Sequence, residues 1–244
     1  MNTAILTEQA MTVRPLAFEE EFFDAPVWRI ETGDTAQVSA SELDVLAANA
    51  RKEGVALMFC RVPADDPASD TLRTAGFRKV ERLVTLSRSI PAAAKMPDDV
   101  RIARIEDIDE AAAIGQADFV YDRYHADPQV PPAIADKIKE LWVRNGIADR
   151  SDAALVAVDG GEVVGFNLCM RRGDDAVIDL IGVASGRQGK GLGRKLVDGA
   201  LAHYAGRANV MWVGTQDTNH ASLALYRAAG FTPQYESDTW HWTA

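Results

Sequence analysis

Apolar positions recur along this chain in two rhythms. Residues 27–31, 55–61 and 77–88 read as strands, the second a continuous apolar run of strand length bounded by Gly54 and Pro63. Between them, residues 42–52 and 69–74 carry helical spacing. Ser41 and Asp44 stand at capping-box distance at the start of the first helix, and Gly54 and Gly76 follow the two ends. Helical spacing returns in residues 106–118 and 132–145. Residues 153–158 and 163–170 then flank Asp159-Gly160-Gly161, a strong hairpin signal. Asp174-Asp175 turns the chain into a strand at 176–183. A glycine-rich stretch leads into a helix reaching about Tyr204, with Leu192, Leu196, Ala200 and Tyr204 on one face. A strand at 210–214, a helix at 222–229 and a strand at 231–242 follow. The pattern predicts an α/β (α+β) chain in which hairpins stand beside a strand–loop–helix unit, not a regular βαβ alternation.

Residues 91–99 hold two prolines and three consecutive alanines without periodicity, which reads as a linker between residues 1–97 and 98–244. The length of 244 residues is more than one small domain needs and suits two. With 47% hydrophobic and 25% charged residues, the chain is expected to be a globular protein and not a disordered chain, a fibre or a membrane bundle. It has no run of about 18 uninterrupted apolar residues, and Met1 to Met11 hold Glu8 and no basic residue, so neither a membrane span nor a signal peptide is expected. The two cysteines, Cys60 and Cys169, lie in apolar runs and read as reduced thiols of a cytoplasmic protein.

The two parts share a signature. Leu72-Arg73-Thr74-Ala75-Gly76-Phe77 matches Tyr226-Arg227-Ala228-Ala229-Gly230-Phe231, each closing a short helix and entering a long strand. Glycine as a common helix C-cap explains part of this. A duplicated unit explains the rest, and its first copy has leucine where the second has a hydroxyl, which marks Tyr226 for chemistry.

Charge narrows the partner. The 26 basic and 36 acidic residues give a net charge of −10, which argues against nucleic acid, whose phosphates need a broad basic face. Yet residues 180–197 contain Arg187, Lys190, Arg194 and Lys195 and no acidic residue. Here Gln188-Gly189-Lys190-Gly191-Leu192-Gly193 joins a strand to a helix. Glycines bring backbone N–H groups toward a ligand, and the helix start supplies unpaired donors and a positive dipole end. The stretch reads as a pyrophosphate cradle. It is neither a Walker loop nor a GxGxxG fingerprint.

The spacing Gln188-x-x-Gly191-x-Gly193 resembles the acyl-CoA pyrophosphate loop of the GNAT superfamily of N-acyltransferases. Asn219-x-x-Ser222-x-x-Leu225-Tyr226-x-x-x-Gly230-Phe231 is similar to the downstream signature of that superfamily. The resemblance covers about residues 98–244 and implies a mixed, mostly antiparallel sheet flanked by helices, preceded by a truncated GNAT-like domain at 1–97. It implies acetyl-CoA as co-substrate, held by Ile181, Gly182 and Val183 along the pantetheine arm, by Arg187 through Arg194 (Gln188, Gly189, Lys190, Gly191, Leu192 and Gly193 between them) and by Asn219. It makes the N–H near Ile181 a donor to the thioester carbonyl and Tyr226 the general acid to the departing thiolate.

Asp179 lies on the Ile181 side of its strand by period two and matches a position where some members carry a general base; a water chain is the equal alternative. Cys169, with no histidine nearby, reads as packing and not as a nucleophile. The four histidines are too scattered for a metal site, and His220 reads as a loop residue. His241 faces opposite to Trp240 and Trp242 and is a candidate for the acceptor pocket. Residues 119–132 are aromatic, charged and loop-like, and Arg123 and His125 there suit a ring-bearing anion such as a sugar nucleotide. This stretch, Glu21-Phe22-Phe23 and Thr215-Gln216 resemble the dTDP-fucosamine acetyltransferase family. That resemblance implies acetylation of the amino group of dTDP-4-amino-4,6-dideoxy-galactose, for polysaccharide biosynthesis. The partners expected are therefore acetyl-CoA and an amine acceptor, with no nucleic acid, membrane or metal; a homodimer is one assembly open to it. The rival readings are an enzyme of this fold acting on another small-molecule or peptide amine, and a non-catalytic acyl-CoA-binding protein.

Overall fold

A computed structural model describes residues 11–33, 35 and 38–244. The reading of the opening segment falls on residues 1–10, outside those described. In chain order the elements are β1 (Met11–Pro15), α1 (Ala17–Phe23), β2 (Val27–Thr32), α2 (Ala40–Lys52), β3 (Leu57–Pro63), α3 (Ala68–Thr74), β4 (Arg78–Ser89), β5 (Val100–Ile102), α4 (Ile108–Asp118) and α5 (Pro132–Asn145). They continue with β6 (Ala153–Asp159), β7 (Glu162–Arg172), β8 (Asp175–Val183), α6 (Leu192–Tyr204), β9 (Val210–Gln216), α7 (His220–Ala228) and β10 (Thr232–Trp242). No helix among the described residues is long and apolar enough to cross a membrane.

Packing divides the chain into two units that are not continuous in sequence. The first runs to Leu83 and adds Ala126–Gln129 and Glu236–Ala244; the second comprises Val84–His125 and Val130–Tyr235. β4 and β10 are each divided between the two units, and the linker-like residues 91–97, without regular structure, lie inside the second.

In the first unit the strand order is β1-β2-β3-β10-β4, with β2 and β3 parallel and the β1–β2 and β3–β10 pairs antiparallel. Leu43 and Ala47 of α2 and Leu72 of α3 share a core with Met58, Cys60, Trp240 and Trp242. The cap of α2 corrects the sequence expectation. Ser39 Oγ accepts from the Glu42 N–H at 3.3 Å, and the Glu42 carboxylate accepts from the Ser39 N–H at 3.3 Å and from its hydroxyl at 2.7 Å. The capping box is Ser39–Glu42, two residues before the expected pair, because a glutamate side chain is long enough to reach back to the cap.

The second unit has the order β10-β4-β9-β8-β7-β6-β5, antiparallel from β5 to β8 and parallel between β8 and β9. Strand alternation sends Leu155 and Ala157 to a core with Leu196, Ala200 and Tyr204 of α6 and Leu223 and Tyr226 of α7. Val156, Phe166 and Leu168 pack with Ala111, Ala112 and Ile114 of α4 and Val143 of α5. The expected mixed, mostly antiparallel sheet flanked by helices is thus present. Burying each large side chain contributes about 1.5–3 kcal/mol.

Two strand registers shape the open end of this sheet. On the β7 side, Cys169 pairs with Ile178 and Leu168 with Leu180, so Asp179 is the extra residue of a bulge. On the β9 side, pairing runs from Ala176–Met211 to Ile178–Val213 and ends there, although β8 continues to Val183 and β9 to Gln216. The two strands part at Asp179.

The internal repeat is one backbone turn built twice. Ala75, Gly76 and Phe77 donate to the carbonyls of Thr71, Arg73 and Leu72 at 3.0, 3.1 and 3.0 Å. Ala229, Gly230 and Phe231 donate to those of Leu225, Arg227 and Tyr226 at 2.9, 3.0 and 2.9 Å. Gly76 and Gly230 hold φ at +87° and +85°, where a Cβ would be strained.

Candidate active site

β8 delivers the chain into the glycine loop at Val183, and a short turn at Ser185–Arg187 follows. The Gln188 side chain donates to the Val183 carbonyl at 3.0 Å and folds the loop back over the strand end. Gly189 and Gly191 hold φ at +76° and +79°, and a Cβ on either would meet nothing within 4 Å. They are glycine for conformation, and the space above them is open. α6 starts from Gly191 with no side-chain cap, so its first-turn N–H groups stay available to an anion. Gly193 is glycine for packing, since a Cβ would lie 3.2 Å from Leu225 Cδ2.

The four cations of this stretch do not act alike. Arg187 reaches Asp159 at 2.5 Å and Glu162 at 3.3 Å. Lys195 pairs with Asp99 at 2.6 Å. Arg194 pairs with Asp198 at 2.9 Å and donates to the Ala228 carbonyl at 2.8 Å. Lys190 is exposed and has no ion-pair partner among the described residues. Backbone N–H groups and Lys190 are therefore what this stretch leaves unmatched by carboxylates among the described residues.

Beside the loop, Ile181, Gly182 and Val183 are half-buried on the part of β8 that has left β9. A Cβ on Gly182 would come within 2.9 Å of Phe119 Cε2 and 3.0 Å of Phe166 Cε1, so two rings back this strand. Asn219 caps α7, its Oδ1 accepting from the Ser222 N–H at 3.1 Å. Tyr226, on α7, is 2% exposed, with its ring 5.6 Å from that of Phe231. Burial, and then Cys169, push its phenol well above the usual range, so it is protonated at neutral pH and its hydroxyl makes no hydrogen bond with a described residue. Cys169 is itself buried and its thiol is raised far out of the nucleophilic range, chiefly by burial; Cys60 is pushed up to about 12 by the same cause.

Asp179 departs from the period-two reading, because the bulge breaks the strand's alternation at that residue. Its Oδ2 accepts from Trp142 Nε1 and from Arg150 Nη1, both at 2.9 Å, while Oδ1 makes no hydrogen bond with a described residue. The Arg150 guanidinium lies 4.8 Å and the Lys139 ammonium 5.0 Å from the Trp142 ring, so the indole sits with two cations. Trp142, Lys139 and Arg150 had no signal in the sequence beyond helical spacing.

The candidate acceptor residues fall in different units. His241 belongs to the first unit and has no accessible surface; its Nδ1 lies 2.8 Å from Asp127 Oδ2. Burial would raise Asp127, but His241, the Gln129 N–H and Arg78 outweigh it and hold the carboxyl at about 2. His241 is thus hydrogen-bonded to a buried carboxylate and has no exposed surface to line an open pocket. Arg123, in the second unit, stacks 4.5 Å from the Tyr124 ring and donates to its hydroxyl. His125 is clamped by Asp122 at 2.5 Å and Asp136 at 3.0 Å. Asp122 is held at about 2, burial being outweighed by Lys139, His125 and the Tyr124 N–H. The bond to Asp122, followed by that to Asp136, raises the His125 pKa above its ordinary value. A histidine raised in the folded state stabilises fully below about pH 6.5, its unfolded value, and loses that contribution as pH climbs through the raised one. Denaturant midpoints of the wild type and His125→Gln are therefore expected to differ most in mildly acid buffer and to converge as pH rises.

With this geometry in place, comparison with known proteins is informative. The pattern of the acetyltransferase (GNAT) family matches residues 117–231. The spore coat polysaccharide biosynthesis protein SpsD of Bacillus subtilis is 27% identical over 136 residues, 55% of this chain and 47% of that protein, so the match spans about half the relative's length. A mycothiol acetyltransferase of Propionibacterium freudenreichii is 25% identical over 223 residues, 81% of this chain and 70% of the relative. The crystal structure of a GCN5-related N-acetyltransferase from Sphaerobacter thermophilus matches with a TM-score of 0.64 at 15% identity, covering 96% of this chain and 76% of that one. Enzymes of this family take their acyl group from acetyl-CoA. Residues 117–231 thus match the pattern of the acetyltransferase (GNAT) family, and the chain shares the fold of a GCN5-related N-acetyltransferase.

Proposed function

We propose that the chain transfers acetyl directly from acetyl-CoA to the amino group of a nucleotide-linked amino-dideoxy sugar, a dTDP sugar in the favoured form. The observation that carries the reading is the parting of β8 from β9 beside an uncapped glycine loop, with a protonated phenol on the next helix. Backbone groups of Ile181, Gly182 and Val183 would hold the pantetheine arm, and the N–H groups around Gly189 and Gly191, with Lys190, its pyrophosphate. Asn219 has its amide nitrogen left for the arm, since the cap uses only Oδ1.

The chemistry then needs three things: a neutral amine, a stabilised oxyanion and a protonated leaving group. The amine nitrogen bonds to the thioester carbon, and the strand N–H near Ile181 donates to the carbonyl oxygen as its charge grows. The C–S bond breaks, the thiolate takes the Tyr226 proton, and the amine gives up its own. That last proton passes to water at the free Oδ1 of Asp179, which Trp142 and Arg150 hold in place by the other oxygen. Residues 1–97 are read as a truncated copy of the same unit, kept for shape and acceptor binding.

The sugar acceptor is supported by the similarity to a polysaccharide biosynthesis protein and by Arg123 and His125 in an aromatic, charged stretch. The mycothiol acetyltransferase similarity, over more of the chain, favours another small amine as the second reading.

Tyr226→Phe is expected to lower kcat by at least about tenfold with little change in acetyl-CoA affinity, measured by release of free CoA. Near wild-type turnover would remove the general-acid role. For Asp179→Asn, the expected outcome is a slower rate with a displaced pH–rate profile; an unmoved profile leaves deprotonation to water alone. Across a panel of amines, CoA release should be fastest with dTDP-linked amino sugars. Turnover only on non-sugar amines selects the second reading, and binding of acetyl-CoA without release to any acceptor makes the protein a non-catalytic binder.

A further inference from the structure

The carbonyls at the end of a helix need donors, and those of α7 receive two guanidinium groups. Arg194 Nη1 donates to the Ala228 carbonyl at 2.8 Å, and Arg88 Nη1 donates to that of Ala229. Positive charge at that end also meets the negative end of the helix dipole. Arg194 is held for this task by Asp198, one helical turn on, whose two carboxylate oxygens both lie 2.9 Å from Nε. Its neighbour Gly193 lets the same turn of α6 close on Leu225, where any Cβ would crowd the leucine at 3.2 Å. Leu225 and Ala228 bracket Tyr226.

We propose that Arg194 is a positioning residue for Tyr226 and not a ligand of the cofactor phosphates. The first turn of α6 would then have two jobs on its two sides. Its N–H groups face the glycine loop, while its arginine and its missing Cβ seat α7. The depth at which acetyl-CoA sits and the placement of the hydroxyl that protonates its thiolate are thereby set by one turn of helix. The inference rests on the reading of Tyr226 as general acid.

The test is steady-state kinetics on the full chain with acetyl-CoA and whichever acceptor gives turnover, comparing Arg194→Gln, Tyr226→Phe and the double variant, each checked for an unchanged circular dichroism spectrum. For Arg194→Gln, kcat is expected to fall about tenfold, as for a catalytic group displaced by a fraction of an ångström, with KM for acetyl-CoA within about twofold. In the Tyr226→Phe background the same substitution should cost less than about twofold, since the group it positions is gone. Asp198→Asn, which leaves the arginine but loosens its orientation, should show the same split at about threefold, and it serves if Arg194→Gln does not fold. A KM raised about fivefold or more at unchanged kcat makes Arg194 a phosphate ligand and overturns the proposal. So does a full additive loss in the Tyr226→Phe background. If Tyr226→Phe is itself as fast as wild type, the general-acid reading fails first, and the proposal fails with it.

Discussion

The point at which β8 stops pairing with β9 sets the terms for everything around it. A backbone that leaves its ladder forfeits hydrogen bonds, and each buried donor or acceptor without a partner costs about 1–3 kcal/mol. In the second unit β8 leaves β9 past Ile178 and Val213, beside the extra residue of its bulge, where the strand is half-buried. The bend leaves a strand with one paired edge and one open edge, backed by Phe119 and Phe166. The glycine loop, the uncapped start of α6 and the helix carrying Tyr226 are all disposed around that opening.

The electrostatics are equally local. A chain with a net charge of −10 has no general attraction for phosphate, and three of the four cations near the loop are already matched by carboxylates. For the proposed acetyl-CoA site, recognition of the pyrophosphate would then fall to oriented N–H dipoles and Lys190, which act at short range and add no diffuse basic surface. Two helix starts differ in this respect. At the start of α2, Ser39 and Glu42 satisfy the helix from within, whereas at the start of α6 no side chain does.

Much of this was legible in the sequence, for reasons that are themselves physical. Helical and strand periodicity, the glycine hairpin and the Ala-Gly-Phe turn depend on neighbours within a few residues, and those elements came out as expected, with α5 matching end to end. The short edge elements β1, α1 and β5 carried too little pattern to be seen. The errors came where distant residues decide. Ser41 and Asp44 had the spacing of a cap, but the longer side chain of Glu42 won the contact. Counting in twos puts Asp179 on the Ile181 face, and one inserted residue in β8 breaks that count. His241 looked available between two tryptophans, and its burial against Asp127 depends on a segment more than a hundred residues away. The ion pairs of Arg187, Arg194 and Lys195 likewise join positions that no local spacing connects.

The sharing of β4 and β10 between the units has a bearing on how such a chain can be divided. Trp240 and Trp242, at the far end of the polypeptide, complete the core in which Leu43, Leu72 and Phe77 are buried. The proline- and alanine-rich stretch at 91–97 lies inside the second unit. A break there would leave the earlier residues with a hollow where two indoles belong, and would leave those indoles without their burial. The two units are therefore not interchangeable cassettes. Removing residues 236–244 would therefore take two indoles out of the core that buries Leu43, Leu72 and Phe77.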